Sequence, residues 1–355
     1  MQGRRTGGGD ARGTQLDLFG AAAAVPPVDG AEISLEVMDV ARRLPDRIRM
    51  GTSSWSFPGW AGLVWAGRHG ADVLSRDGLP AYARHPLLRA AGIDRTFYAP
   101  LPAGGFALHA AQVPDGFRFL VKASQLCTFP ALRDGPGRGP PRENPRFLDA
   151  AFARDAVVAP AVEGLGDRLG ALLFQFPPLP RGETRDPPRF AARLSAFLSA
   201  LPRGPRYAVE VRDAELLNPG YAAALSASGA AHGFTVHPSM PSLETQAATV
   251  PVEGQPWLVV RWMLGHGRGY EEARDLYAPF DRLAAPDPAS RAAVAGLCRA
   301  AAAAGREATV VVNNKAEGSS PLSLVELARA IVEPGPEREP GPPPGPAPGG
   351  GTGPD

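Results

Sequence analysis

Residues 206–213 read Arg206-Tyr207-Ala208-Val209-Glu210-Val211-Arg212-Asp213, a short apolar run that ends in charge. Its alternation and its β-branched and aromatic residues predict a buried strand. Successive side chains of a strand point to opposite faces, so Tyr207, Val209 and Val211 share one face and Ala208, Glu210 and Arg212 the other. A carboxylate and a guanidinium two residues apart on an apolar strand are costly unless paired. The stretch is therefore either a structural ion pair or the floor of a ligand-binding or catalytic site. Other strands in the chain end the same way, which favours the second reading.

Working outward, the same signature recurs. Before it come IRMGTSSW from Ile48, GIDRTFYAPLP from Gly92, GFRFLVKASQ from Gly116 and LGALLFQFPP from Leu169, the last stopped by a double proline. After it come AHGFTVHPS from Ala231, PWLVVRWMLG from Pro256 and EATVVVNNKAEG from Glu307. Helical patterns fall between them, over Leu79 to Ala91, Pro145 to about Leu165, Pro188 to Leu201, Pro219 to Ser228, Tyr270 to Ala304 with a Pro-interrupted middle, and Leu322 to Val332. About eight strand–helix alternations predict an α/β fold, a single (β/α)8 TIM barrel over residues 47–332. The barrel is expected to be irregular around strands six and seven, where the helix signal is weak. A doubly wound open sheet is the alternative, although no dinucleotide-type glycine fingerprint follows the first strand. Residues 1–46 and 333–355 are rich in Gly, Pro, Ala and Arg and read as disordered tails.

Composition sets limits. The chain has 355 residues, a net charge of +1 and 44% hydrophobic residues, which suits a soluble globular protein with a large core. No apolar run is long enough to cross a bilayer, and the Ala-rich stretch after Phe19 lacks the layout of a secretory signal. Cys127 and Cys298 offer neither metal spacing nor a disulfide framework, as expected of two unrelated thiols in a reducing cytoplasm. Near-neutral charge confines any nucleic-acid site to a local patch. Thirty-five arginines stand against two lysines, Lys122 and Lys315, and both lysines fall at the ends of apolar strands. Arg and Lys differ most where an amine must change protonation or act as a compact charge.

In a parallel barrel the active site lies at the carboxyl ends of the strands. The polar residues there are Ser53, Ser54 and Trp55 on the first; Asp94, Thr96 and Tyr98 on the second; Lys122, Gln175, and Glu210 with Arg212 on the third to fifth; then His237, Arg261, and Asn313 with Asn314. They can converge on one rim or merely close the barrel top with hydrogen bonds. Taken as a site, the set suits a polar, anionic ligand. Arg212 and Arg261 can fork onto phosphate or carboxylate oxygens. Lys122 is the expected general acid or charge stabiliser, and Glu210 the expected base, provided its partners leave it free to take a proton. Gln175, Asn313 and Asn314 would add directional hydrogen bonds, with Ser54 and His237 beside them. Trp55, Tyr98 and Trp262 can stack on a ring or pack in the core. No metal is expected, since no histidine pair has ligand spacing and a lone His237 is more often structural. The cofactor is left open.

One island interrupts the first tail: Gln15-Leu16-Asp17-Leu18-Phe19-Gly20. It resembles the short peptide by which bacterial DNA-processing proteins dock on the sliding clamp, with Gln15, Leu16, Leu18 and Phe19 matching. There Leu18 and Phe19 would fill a pocket while Gln15 bonds at its rim. A staple folding back on the barrel is the other reading.

The motifs GTSSW, TFYAPLP, GFRFLVKAS, LGALLFQFPP, YAVEVR, WLVVRW and VVVNN, in this order from about Met50 to Leu327, resemble the YecE-like domain-of-unknown-function family 72 of TIM barrels. The resemblance implies the barrel and brings no reaction with it. It also marks departures. Gly92 and Asp94 stand where the family usually has a glutamate and an asparagine. Lys315 stands where an acidic residue is usual, and Ser319, Ser320 and Pro321 replace a small-His-Ala-Pro turn. After Arg261 the family's Arg-x-His-Gly reads Arg-Trp-Met-Leu-Gly, so its histidine is missing. These losses weaken a metal-hydrolase reading. The expectation is a hydrolase or lyase acting on a phosphate- or sugar-bearing ligand, possible nucleic acid included. The alternative is a non-catalytic module recruited to replication or repair machinery through Gln15 to Phe19.

Overall fold

Eight parallel strands pair in chain order, and the last pairs with the first, closing a barrel. They are β1 Ile48–Thr52, β2 Leu88–Ile93, β3 Arg118–Lys122, β4 Leu169–Gln175, β5 Tyr207–Glu210, β6 Ala231–Val236, β7 Leu258–Trp262 and β8 Ala308–Val312. The structure is a computed structural model and describes residues 27–133, 140–265, 267 and 269–333. Gln15, Leu16, Leu18 and Phe19 lie outside the described residues, as does His266.

The period-2 pattern separates two cores. Leu120, Ala171, Leu173, Ala208, Ala231, Trp257, Val259 and Val311 pack together inside the barrel. Their neighbours one residue away, such as Phe119, Leu172, Tyr207, Val209 and Val260, face outward into the layer shared with the helices. Tyr207, for example, lies beside Phe174, which meets Phe197 of the helix Pro187–Ser199 edge to face. This alternation puts Lys122, Gln175, Glu210, Arg261 and Asn313 on the interior course of their strands, one step above the last apolar layer.

The second strand differs from expectation. Leu79 to Ala91 reads as one helix, but the helix stops at Arg84 and Leu88–Ile93 form β2. The small residues of this strand serve a close approach. At Gly51 a Cβ would sit 1.7 Å from the carbonyl oxygen of Ala90, so only glycine fits where the β1–β2 register shifts. Tyr82 staples the same place: its hydroxyl donates to the Ala90 carbonyl at 2.9 Å and accepts the Thr52 N–H at 2.9 Å. The TFYAP segment then turns as a short 3-10 helix, Arg95–Phe97.

Irregularity also falls elsewhere than expected. The crossover between β6 and β7 is indeed thin, with one seven-residue helix, Leu243–Thr249, and a 3-10 turn. The ladder itself shifts register between β1 and β2 and between β3 and β4.

Disorder up to residue 46 is corrected over Leu35–Arg43, which form a helix. Ser34 caps it by accepting the Val37 N–H at 3.3 Å, Val40 and Leu44 are buried, and Glu36 pairs with Arg329 of the closing helix Ser320–Val332. The capping serine and apolar residues four apart carry the signal. Ser34→Ala is expected to cost about 1 kcal/mol in urea unfolding, with faster amide exchange confined to the helix's first turn. No helix of the described residues is long and apolar enough to cross a membrane. Cys127 and Cys298 are buried free thiols, each pushed up to about 12 by burial.

Candidate active site

Above the last apolar layer the interior residues turn charged, and they do so around Glu210. Its side chain is fully buried. One carboxylate oxygen accepts Nε of Arg212 at 2.5 Å and the other accepts Nη1 of Arg261 at 2.9 Å. Arg261 sits two strands away, and Gly233 lies on the intervening strand. A Cβ there would press on Cβ of Glu210 at 3.3 Å and on Leu173 at 3.4 Å. The narrow interior course of β6, Ala231 and Gly233, is thus what lets the pair form across it. Arg261 also reaches Asp94 at 3.4 Å and is itself only 1% exposed.

Burial is the largest single influence on Glu210 and would raise its pKa. Arg212, Arg261 and Lys122 together outweigh it and hold the carboxyl down to about 2. The expectation that Glu210 acts as a base is therefore corrected. Both oxygens are occupied by guanidinium groups and the group stays ionised, so it anchors two arginines and does not collect a proton.

A cavity of about 440 Å3 opens over this layer, lined by Asp94, Lys122, Gln175, Arg212, Arg261 and Asn313. His237 and the aromatic rings of Phe97, Tyr98 and Tyr270 form its rim. The geometry thus brings Lys122, Gln175, Arg212, His237, Arg261, Asn313 and Tyr98 to one bowl, with Glu210 beneath them.

The Lys122 ammonium makes no hydrogen bond or ion pair with a described residue. It instead rests over the Phe97 ring, 3.7 Å from the centroid. Burial, then the charge of Arg261, depress its pKa to about 8; Asp94 and Glu210 oppose the shift. Gln175 is 8% exposed, and its amide has no partner among the described residues. Arg212 spends Nε on Glu210, and neither of its terminal nitrogens bonds a described residue, so both face the cavity side for a ligand. Arg261, the second expected clamp, has its two terminal nitrogens on Glu210 and Asp94, so it shapes the field of the pocket more than it grips. Asn313 donates to the Ser53 hydroxyl at 2.9 Å and accepts the Lys315 N–H at 3.0 Å. At the rim, Nδ1 of His237 lies 2.9 Å from the Ser239 hydroxyl and 3.2 Å from the Ser239 N–H.

Four expected residues do not reach the bowl. Trp55 is buried outside the barrel, edge-on to His109 at 5.2 Å and to Phe119 at 6.4 Å, and is core packing. Ser54 comes after β1 has ended; its hydroxyl meets Ser56 at 3.4 Å and its carbonyl accepts from Thr52. Asn314 is 1% exposed and accepts from Trp60 Nε1, from the Ser320 N–H and from the Ser320 hydroxyl, fixing the start of the closing helix. Trp262 is likewise in the outer core. Conversely, the sequence does not mark Phe97 as a site residue, because nothing in a 3-10 turn's sequence says that its ring will lie under Lys122. Asp94 was visible as a strand-end carboxylate, and it faces the cavity.

A second cavity, about 550 Å3, opens at the opposite end of the barrel among Arg118, Arg206 and Glu307. Its charges close on one another: Glu307 pairs with both Arg49 and Arg206, and Arg118 donates to the carbonyls of Asp115 and Phe117. That end of a parallel barrel ordinarily carries stability. Among the described residues no three His, Cys, Asp or Glu side chains come together as a metal-ligand set.

A family model described as a protein of unknown function, DUF72, matches residues 49–347. A crystal structure of a DUF72 family protein of Thermotoga maritima MSB8 is similar in fold, with 16% identity, 81% of this chain and 99% of that chain covered, and a TM-score of 0.54. A DUF72 family protein of Enterococcus faecalis V583 aligns at 16% identity over 80% of this chain and 95% of that chain, with a TM-score of 0.49. No curated protein matches the chain significantly.

Proposed function

This chain belongs to the DUF72 family, and from the chemistry of its barrel mouth we propose an enzyme, a hydrolase or lyase, acting on a small ligand that bears phosphate or carboxylate on a sugar-like body. Arg212 is the anion clamp, positioned by Glu210. Gln175 and Asn313 bond to ligand hydroxyls, and Tyr98 and Tyr270 flank the ligand body at the rim. Lys122 moves the proton. The carrying observation is a lysine amine and a glutamine amide that face a cavity of about 440 Å3 with no hydrogen-bond partner among the described residues. Largely buried polar groups are rarely left so unless something else satisfies them.

The electrostatics fit that reading. Three cations, Lys122, Arg212 and Arg261, meet two carboxylates, Asp94 and Glu210, leaving one positive charge for the ligand. With a pKa of about 8, Lys122 enters at neutral pH as an acid and can give up its proton without a large cost.

Calorimetric titration with ribose 5-phosphate tests this. Binding is expected at pH 7, weakening as pH rises through about 8, because Lys122 then loses its charge. Arg212→Met is expected to weaken binding about tenfold, roughly one charge-assisted hydrogen bond. Absence of binding at low salt to this and to other phosphate- or carboxylate-bearing sugars, or equal affinity for Arg212→Met, would overturn the proposal.

A further inference from the structure

Building on the anion-pocket reading, we propose that Lys122 is a covalent catalyst: its amine condenses with the carbonyl carbon of an aldehyde or ketone that carries a phosphate or carboxylate, forming an imine. This selects the lyase branch and narrows the substrate to a carbonyl compound.

The first argument is geometric. The Lys122 amine has an aromatic ring beneath it, open cavity in front and no carboxylate of a described residue within bonding distance. Nearby stand two guanidinium groups fixed by Glu210. An amine beside immovable cations, with its stem buried, favours the neutral, nucleophilic form. The second argument comes from residue usage. The chain places arginine at 35 of its 37 cationic positions. For holding an anion, arginine would serve better at 122, since its planar fork binds oxygens in pairs and never loses its charge. What a guanidinium cannot do is add to a carbonyl and leave as an iminium. The third is the neighbourhood of the reacting carbon. Arg212 supplies the hold on the anionic end, and the Asp94 carboxylate stands on the same cavity wall.

The step balances as follows. The nitrogen lone pair of neutral Lys122 adds to the carbonyl carbon, the C–O π pair moves to oxygen, and the proton lost by nitrogen ends on that oxygen. The carbinolamine hydroxyl then takes up one proton and leaves as water as the lone pair on nitrogen closes the C=N bond. Overall, an ammonium and a carbonyl give an iminium and one water. The iminium can next accept the electron pair of a bond at the adjacent carbon. Asp94 takes the proton if that bond is C–H; if it is C–C, Asp94 takes the proton of the hydroxyl on the departing carbon, which leaves as an aldehyde, giving an enamine either way.

The chain suits a direct test because Lys315, seated over Tyr270 at 4.0 Å, is the only other lysine. Full-length protein is incubated near pH 8 with dihydroxyacetone phosphate, glyceraldehyde 3-phosphate or pyruvate and with cyanoborohydride, then mapped by mass spectrometry. The expected product is one adduct on Lys122, heavier by the probe less one oxygen atom. It is lost in Lys122→Arg and kept in Lys315→Arg. Arg212→Met should lower the yield with dihydroxyacetone phosphate by a larger factor than the yield with dihydroxyacetone, which lacks the anionic group that Arg212 holds. Labelling spread equally over Lys122, Lys315 and the amino terminus, or no adduct with any probe, overturns the imine. Glycerol 3-phosphate, which has no carbonyl, separates the two proposals. If it binds with dependence on Arg212 while no probe is trapped, the imine fails and the anion pocket stands; if it too fails to bind, both fail.

Discussion

Glu210→Gln is expected to destabilise the protein by about 3–5 kcal/mol, the usual cost of removing one partner of a buried ion pair. The substitution keeps the shape of the side chain and removes its charge. Arg212, nearer the cavity, can turn toward water. Arg261 cannot: it is 1% exposed, and only Asp94, at 3.4 Å, is left to balance it. The pH dependence identifies the cause. The folded carboxyl titrates near 2 against an ordinary 4.5, so its contribution is complete above about pH 4.5 and is lost as pH falls through about 2. Urea unfolding of parent and variant at a series of pH values should show a full gap at neutral pH that narrows by on the order of 3 kcal/mol between those limits. A variant as stable as the parent at pH 7, or a gap that does not change with acid, would mean that Glu210 is not the anchor of this cluster. Ribose 5-phosphate binding should weaken as well, since Arg212 loses its support.

Much of this arrangement is written in the local sequence. Seven of the eight strands stand out because each is an apolar run punctuated by turn residues, and their interior course follows from alternation alone. The misplaced strand, Leu88–Ile93, which the sequence pattern starts only at Gly92, opens with Leu, Arg and two Ala, residues with high helix propensity and little preference for strands. Its smallness answers a contact with Gly51 that lies 39 positions earlier, which no local window contains. Parity also explains the site residues that fell away. Trp262 is next to Arg261 and Asn314 next to Asn313, so only one of each pair can point inward. Trp55 has the parity of Ser53, but the chain leaves the strand at Thr52 and the alternation ends there. What sequence could not supply is who neutralises whom. That Glu210 takes both arginines, and so leaves the Lys122 ammonium without an ion pair among the described residues, depends on Gly233 of a third strand standing aside.

Lys122→Met is expected to make the protein more stable while removing its affinity for phosphate-bearing ligands. Met has a similar unbranched stem and can lie on Phe97 without a charge. In the parent, burial and the charge of Arg261 hold the amine near 8 in place of 10.5. A lysine whose folded pKa is depressed acts with the opposite sign to a salt-bridged one. Below about pH 8 the folded protein carries the proton in a setting that disfavours it, and the full cost is present. Between about 8 and 10.5 the unfolded chain binds more protons than the folded one, so parental stability rises with pH; above 10.5 the cost is gone. The attraction to the Phe97 ring offsets part of it, roughly 0.5–2 kcal/mol. The net gain for Lys122→Met at pH 7 is therefore about 1–3 kcal/mol, shrinking toward zero or reversing as pH passes through that window. Thermal and urea unfolding across pH 7 to 11 measure it, and calorimetry with ribose 5-phosphate follows the loss of binding. A variant that melts lower than the parent at pH 7 would make Lys122 part of the scaffold. A functional group held at the expense of stability is what an active-site lysine requires, and a gain on its removal is the result that a structural lysine would not give.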